Sequence, residues 1–258
     1  MPFPYTLPVV FGGTTTPFLT AGEVVNRTAL RVGLTQAPDP FSSTDGNILQ
    51  LCSLLDDCGK ELWRERNWTH LTQDHTFTTI ADQSAYPLPP GFGFMLNQTG
   101  WNRTNRLPFA GPLSNQEWQY LKAQNVSLAL TVMFRPLQQQ IVLYPDVNTP
   151  AGYTIAFSYV SRFWVQTATA SAPDSDTPIN TSDIIWFDAL LITRALKLAF
   201  LKAKNFDTTS AQADYDRALQ LCMGDDGYAP ILNLAGRSNT LPLVGAQNIP
   251  WTGFGGGV

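Results

Sequence analysis

Apolar residues recur at helical spacing toward both ends of the chain and at strand spacing between them. After Thr20, a good N-cap, the positions Val24, Val25, Ala29, Leu30 and Val32 mark a first helix that Gly33 ends. Pro38 and Pro40 then make a short loop. Ser43 or Thr44 can cap a second helix, in which Ile48, Leu51, Cys52, Leu55, Cys58 and Leu62 recur on one face. Past Trp68 the period changes to that of a strand over residues 76–80. Residues 81–84 predict a turn and 85–88 a second short strand, stopped by Pro89 and Pro90.

The middle of the chain continues as short strands. Gly91, Gly93 and Gly100 loosen the backbone around Phe92, Phe94 and Trp101 without a phosphate-loop pattern. Ser114 and Glu117 form a capping box that opens a short helix carrying Trp118, Tyr120 and Leu121. Residues 128–134 and 140–144, separated by 135–139, predict a β-hairpin, and 153–160 another alternating strand. An Ala/Ser/Thr/Asp/Pro stretch over 167–181 reads as a linker. Residues 182–204 then predict a helix that is apolar on nearly every side, and 209–223 a last helix with Ala211, Tyr215, Ala218 and Cys222 on one stripe.

These elements predict an α+β protein: a helical bundle built from N-terminal and C-terminal helices, with an inserted β-rich region and extended terminal arms. The divisions are an arm over 1–18, N-terminal helices over 19–68, the β-rich insert over 69–166, a linker with C-terminal helices over 167–226, and a tail over 227–258. The tail is too apolar for a plain solvated end and too aperiodic for a helix, which makes it a candidate for docking on another subunit.

Charge narrows the choice of partners. Only 14% of residues are Asp, Glu, Lys or Arg and the net charge is −4, so the surface is largely neutral or covered. Tight gripping of DNA phosphates, which calls for a basic excess, is disfavoured. Three cysteines, each inside a predicted helix, read as buried, reduced side chains. The N-terminus has no basic region and is broken by prolines, so neither a signal peptide nor an anchor is expected. The longest apolar stretch, 184–201, contains Asp188, Arg194 and Lys197, and no membrane span is expected.

The densest cluster of chemistry-bearing residues is ELWRERNWTH, residues 61–70. Trp63 and Trp68 at a helix end are expected to pack the helix-to-sheet junction, and Arg64 and Arg66 to complement the helix dipole. His70 and His75 lack accompanying ligands in a metal-binding order. Asp56 and Asp57 diverge on a helix, while Asp174 with Asp176 and Asp225 with Asp226 need distant partners. No hydrolase, metalloprotease, redox or nucleotide-binding motif occurs. The reading is of a non-enzyme without cofactor or metal.

The segment LCSLLDDCGKELWRERNWTHLTQDHTFTTIADQSAYPLP, residues 51–89, resembles the head-to-tail adaptor (tail tubular, or connector) proteins of short-tailed bacteriophages. In such proteins a helix ends in a Trp-containing stretch, a hairpin with a Tyr-x-Leu-Pro exit follows, and an aromatic-rich β region leads to C-terminal helices. The likeness extends over about residues 44–123. It implies a homo-oligomeric ring of twelve copies between portal protein and tail nozzle protein, in the virion. Double-stranded DNA would pass through without tight binding, and a near-neutral or acidic channel suits that passage. Within this reading Trp251, Phe254 and Val258 are the candidate portal-docking residues.

Two other readings are open from the residues. Trp101, Phe109, Trp118 and Trp164 of the β-rich insert are candidates for stacking on carbohydrate in a tail-associated binding module. Glu61, Glu65 and Glu117 are the carboxylates a cell-wall hydrolase would draw on.

Overall fold

In the computed structural model, residues 18–124, 132–144 and 151–226 are described. The order is β1 (Leu19–Thr20), α1 (Ala21–Arg31), α2 (Gly46–Glu65), β2 (Thr72–Thr78), β3 (Ala85–Pro87), β4 (Phe92–Met95), β5 (Trp101–Asn102) and β6 (Leu107–Pro108). Then come α3 (Asn115–Gln124), β7 (Met133–Leu137), β8 (Gln140–Tyr144), β9 (Thr154–Ser161), β10 (Val165–Gln166), β11 (Ile184–Ile185), α4 (Ala189–Ala203) and α5 (Thr209–Asp226).

Short polar side chains set the helix starts. Thr20 and Glu23 form a reciprocal capping box at α1, each backbone N–H donating to the other side chain at 3.1–3.2 Å. Ser114 and Glu117 repeat the device at α3, at 2.8 and 3.2 Å. At α2 the cap is neither Ser43 nor Thr44 but Asp45, whose carboxylate accepts from the Asn47 N–H at 2.8 Å. A carboxylate is favoured there because it also meets the positive end of the helix dipole.

α4 packs against α1, α2 and α5, and α1 packs against α2. Val24, Val25, Leu51, Leu55, Leu191 and Leu196 are fully buried between them, and the same core runs on into Val160, Trp164 and Val165 of the sheet layer. A second cluster, with Phe134, Leu143, Ile155 and Phe157, lies within the strands.

Strand β9 organises the sheets. It pairs with β2 over seven residues, from Thr72 opposite Val160 to Thr78 opposite Thr154. On its other side it pairs with β4 and β5, and β6 continues from β5. A separate sheet has the order β3-β8-β7, and a third, β1-β11-β10, joins the N-terminal strand to two strands from the C-terminal half.

The strands correct three expectations. The run over 76–80 and the short strand over 85–88 are not two arms of one hairpin, since β2 pairs with β9 and β3 with β8. In the second case β7 runs through Arg135 to Leu137, and only Gln138 and Gln139 turn the chain, at φ of 49° and 61°. Two left-handed residues make the tight loop that suits antiparallel strands, but Gln-Gln lacks the Gly or Asn that announces it. Residues 128–131 of the expected hairpin lie outside the described residues.

Third, residues 182–188 are not helical. Ile184 and Ile185 form the middle strand of their sheet, and α4 starts only at Ala189, after Asp188 accepts from the N–H groups of Leu190 and Leu191. A short apolar run of this kind fits a buried strand as well as a helix, and pairing with Leu19 and Thr20 decides between them. The cysteines are free, but Cys58 alone is fully buried; Cys52 and Cys222 are partly buried against the same core. Among the described residues, no helix is long and apolar enough to cross a membrane.

Candidate functional site

The two tryptophans at the end of α2 serve different contacts. Trp68 is buried, and its indole N–H donates to the Leu62 carbonyl at 2.7 Å, closing the turn that follows the helix. Its ring meets Phe187 edge-on at 5.9 Å. Trp63 instead reaches across to the sheet, where its N–H donates to the Ser161 carbonyl at the end of β9 at 2.8 Å. Together they tie α2 to the chain just before α4 and to the central strand. Below them, the ring of Trp164 lies against Gly59, which leaves no room there for a Cβ.

The same junction receives the end of α5. Asp226 accepts from the Thr69 backbone N–H at 3.1 Å and from its hydroxyl, and lies 3.5 Å from the Arg66 guanidinium. Arg66 also donates to the Met223 carbonyl, one of the last carbonyls of that helix. A cation at a helix C-terminus meets the negative end of the dipole. Phe18 extends the aromatic layer, stacked on Trp186 at 5.2 Å and tilted against His70 at 5.9 Å.

The two histidines lie in different surroundings. His70 sits among Phe18, Trp68 and Phe187, and burial holds its pKa below the usual imidazole value, against an opposing pull from Asp226. His75 belongs to β2 and packs on Phe157. No group of three His, Cys, Asp or Glu side chains able to hold a metal occurs among the described residues.

Glu61 and Glu65 face a cleft shared with Lys202 and Tyr215, whereas Glu117 is occupied as the cap of α3, its carboxyl held below the usual range by the Ser114 bonds. Asp174 accepts from the backbone and hydroxyl of Thr167, and Asp56 pairs with Lys60 at 2.6 Å. Glu117, Asp174 and Asp56 thus have structural partners.

The carbohydrate platform is also dismantled. Phe109, Trp118 and Trp164 are buried, so only Trp101, 36% exposed, offers any ring face to solvent. The Trp118 ring is covered by the Arg135 guanidinium at 4.2 Å. Sequence reasoning could not see this, because an aromatic that stacks on a sugar and one that fills a core are the same residue type.

The surface holds two features that pattern reading missed. Large apolar side chains stand exposed on several elements, among them Leu30, Ile80, Tyr120, Ile179, Phe206 and Leu221. A cleft of about 380 Å³ opens between α2 and β4, with Trp63 and Phe92 as apolar walls and Lys60, Arg64 and Arg162 as cations, against Asp176. The anchors Trp251, Phe254 and Val258 lie outside the described residues, as does the arm before Phe18.

Comparison with curated proteins finds no match. Comparison with protein families matches the SU10 adaptor protein over residues 19–238, a span that takes in all the described helices and sheets. On that match the chain belongs to the SU10 adaptor protein family, and is a structural adaptor of a phage virion rather than a member of an enzyme family.

Proposed function

We propose that the chain is one subunit of a ring that joins the portal to the tail nozzle and continues the channel through which DNA leaves the head. The observation that carries this reading is the family match over residues 19–238. The exposed apolar side chains and the low content of charged residues fit a protein whose surface is covered in an assembly. A net charge of −4 suits a channel that lets DNA slide.

In this reading twelve copies form the ring. The helices, drawn from both ends of the chain, brace it, and the C-terminal tail docks on the portal through Trp251, Phe254 and Val258. The test is the mass of the full chain, alone and mixed with portal particles, by native mass spectrometry. A ring on the portal is the expected result, and a monomer under both conditions would refute the reading. Deleting residues 246–258 is expected to abolish portal binding; unchanged binding would remove the tail from the contact.

A further inference from the structure

The turn between β2 and β3 holds three consecutive exposed residues. Ile80 is 57% exposed, and Ala81 and Asp82 beside it are exposed as well. Yet the turn is firmly held. The Tyr86 hydroxyl accepts from the Ile80 N–H at 2.8 Å and donates to the Gln83 carbonyl at 2.9 Å, and Thr79 beneath is buried and bonded to the Tyr153 backbone at 2.8 and 2.9 Å. A rigid knob thus presents one large apolar side chain and one carboxylate, with Asp82 in the left-handed conformation at φ 58°.

The cleft beside α2 has the complementary character. Its aromatic walls suit an aliphatic side chain. Its cations Lys60, Arg64 and Arg162 outnumber the lining carboxylate, Asp176, which lies 3.9 Å from Arg162 in a solvent-exposed pair. Asp56 engages Lys60 from the rim. The Trp164 indole N–H, buried in the wall, has no acceptor among the described residues.

Knob and cleft lie at opposite ends of one ladder. The knob follows Thr78, which pairs with Thr154, whereas Arg162 comes two residues after Val160, the partner of Thr72. At about 3.3 Å per residue the ladder separates them by on the order of 20 Å, too far for the knob to fill the cleft of its own chain.

We propose that the Ile80–Ala81–Asp82 knob of one copy docks in the Lys60/Trp63/Arg64/Phe92/Arg162 cleft of the next copy, with Ile80 against the rings and Asp82 against the cations. Two unlike surfaces on one subunit make a heterologous contact, the kind that closes into a ring when its rotation closes. This inference rests on the ring reading and names the contact between its subunits.

The test uses the full chain, its assembly followed by mass against concentration with and without portal particles. Asp82→Asn, which keeps a residue tolerant of the left-handed backbone, and Arg162→Glu are each expected to raise the concentration needed for assembly by about tenfold or more. Asp82→Lys combined with Arg162→Glu is expected to recover most of that loss. Far-UV circular dichroism confirms that the variants fold, as expected for exposed positions.

Wild-type rings with single variants that assemble equally well would overturn the knob-and-cleft contact and leave the ring reading standing. Weakened single variants with no recovery in the pair would also overturn the direct contact between Asp82 and Arg162. A wild-type chain that stays monomeric even on portal particles would remove both.

Discussion

Gly59→Ala tests whether the helical and sheet layers are locked at the contact between α2 and Trp164. A Cβ at residue 59 would stand 2.6 Å from Trp164 Cε2 and closer still to Cζ2 and Cη2. Carbon atoms rest at about 3.5–4.0 Å, so the ring or the helix must yield by about 1 Å or more. The indole cannot yield cheaply, because it is fully buried and packs on Phe187 at 5.8 Å.

Overpacking of this kind costs about 1–3 kcal/mol, while Ala in place of Gly inside a helix returns about 1 kcal/mol. With three ring atoms overlapped, the upper part of that range applies and the net loss is about 2 kcal/mol, or roughly 4–8 °C in Tm. Urea and thermal unfolding of the full chain measure it. Gly224→Ala in α5 is the control, since a Cβ there meets nothing within 4 Å and the helix preference alone should leave stability unchanged or slightly raised. Gly59→Ala should also cost less in a Trp164→Phe background, which shrinks the obstructing ring. A Gly59→Ala protein as stable as the parent, or an undiminished cost beside Phe at 164, would refute the reasoning.

Two predictions concern pH. Burial pushes the thiol pKa of Cys58 up to about 12 and those of Cys52 and Cys222 to about 11; burial and the Glu65 charge push Tyr215 to about 12. Protons held more tightly in the folded chain stabilise it fully below the unfolded values near 9 and 10, and that contribution is lost as pH rises toward 11–12. The urea midpoint should therefore fall above pH 9, and less steeply in a Cys58→Ala, Tyr215→Phe protein; an identical fall in that variant would count against the assignment. His70 and His75 are shifted the other way, both by burial, so their contribution is present above the unfolded value near 6.5 and is lost as pH falls through their lower folded values. Stability should decline below pH 6.5, and His70→Gln and His75→Gln should each flatten that decline; an unchanged slope in the His70→Gln protein would contradict the placement of His70 among Phe18, Trp68 and Phe187.

Local signals in the chain were enough to determine the helix faces, the N-cap at Thr20, the capping box at Ser114, and the change of period after Trp68. Each depends on residues within a turn or two of one another, where side-chain spacing and backbone hydrogen bonding leave few alternatives. The family likeness was likewise carried by one contiguous stretch, residues 51–89. Tertiary structure decided the rest. Ile184 and Ile185 became a strand because Leu19–Thr20 and Val165–Gln166 supply the two flanking ladders, which no local pattern contains. The segments on either side of the knob were drawn into different sheets because β9, some 75 residues further on, offered β2 a seven-residue partner. Burial sorted Trp118 and Trp164 into the core and left Trp101 partly outside, and it sorted the carboxylates into caps and ion pairs. Which aromatic is covered, and which charge is matched, depends on neighbours distant in the chain, so residue type alone could not decide it.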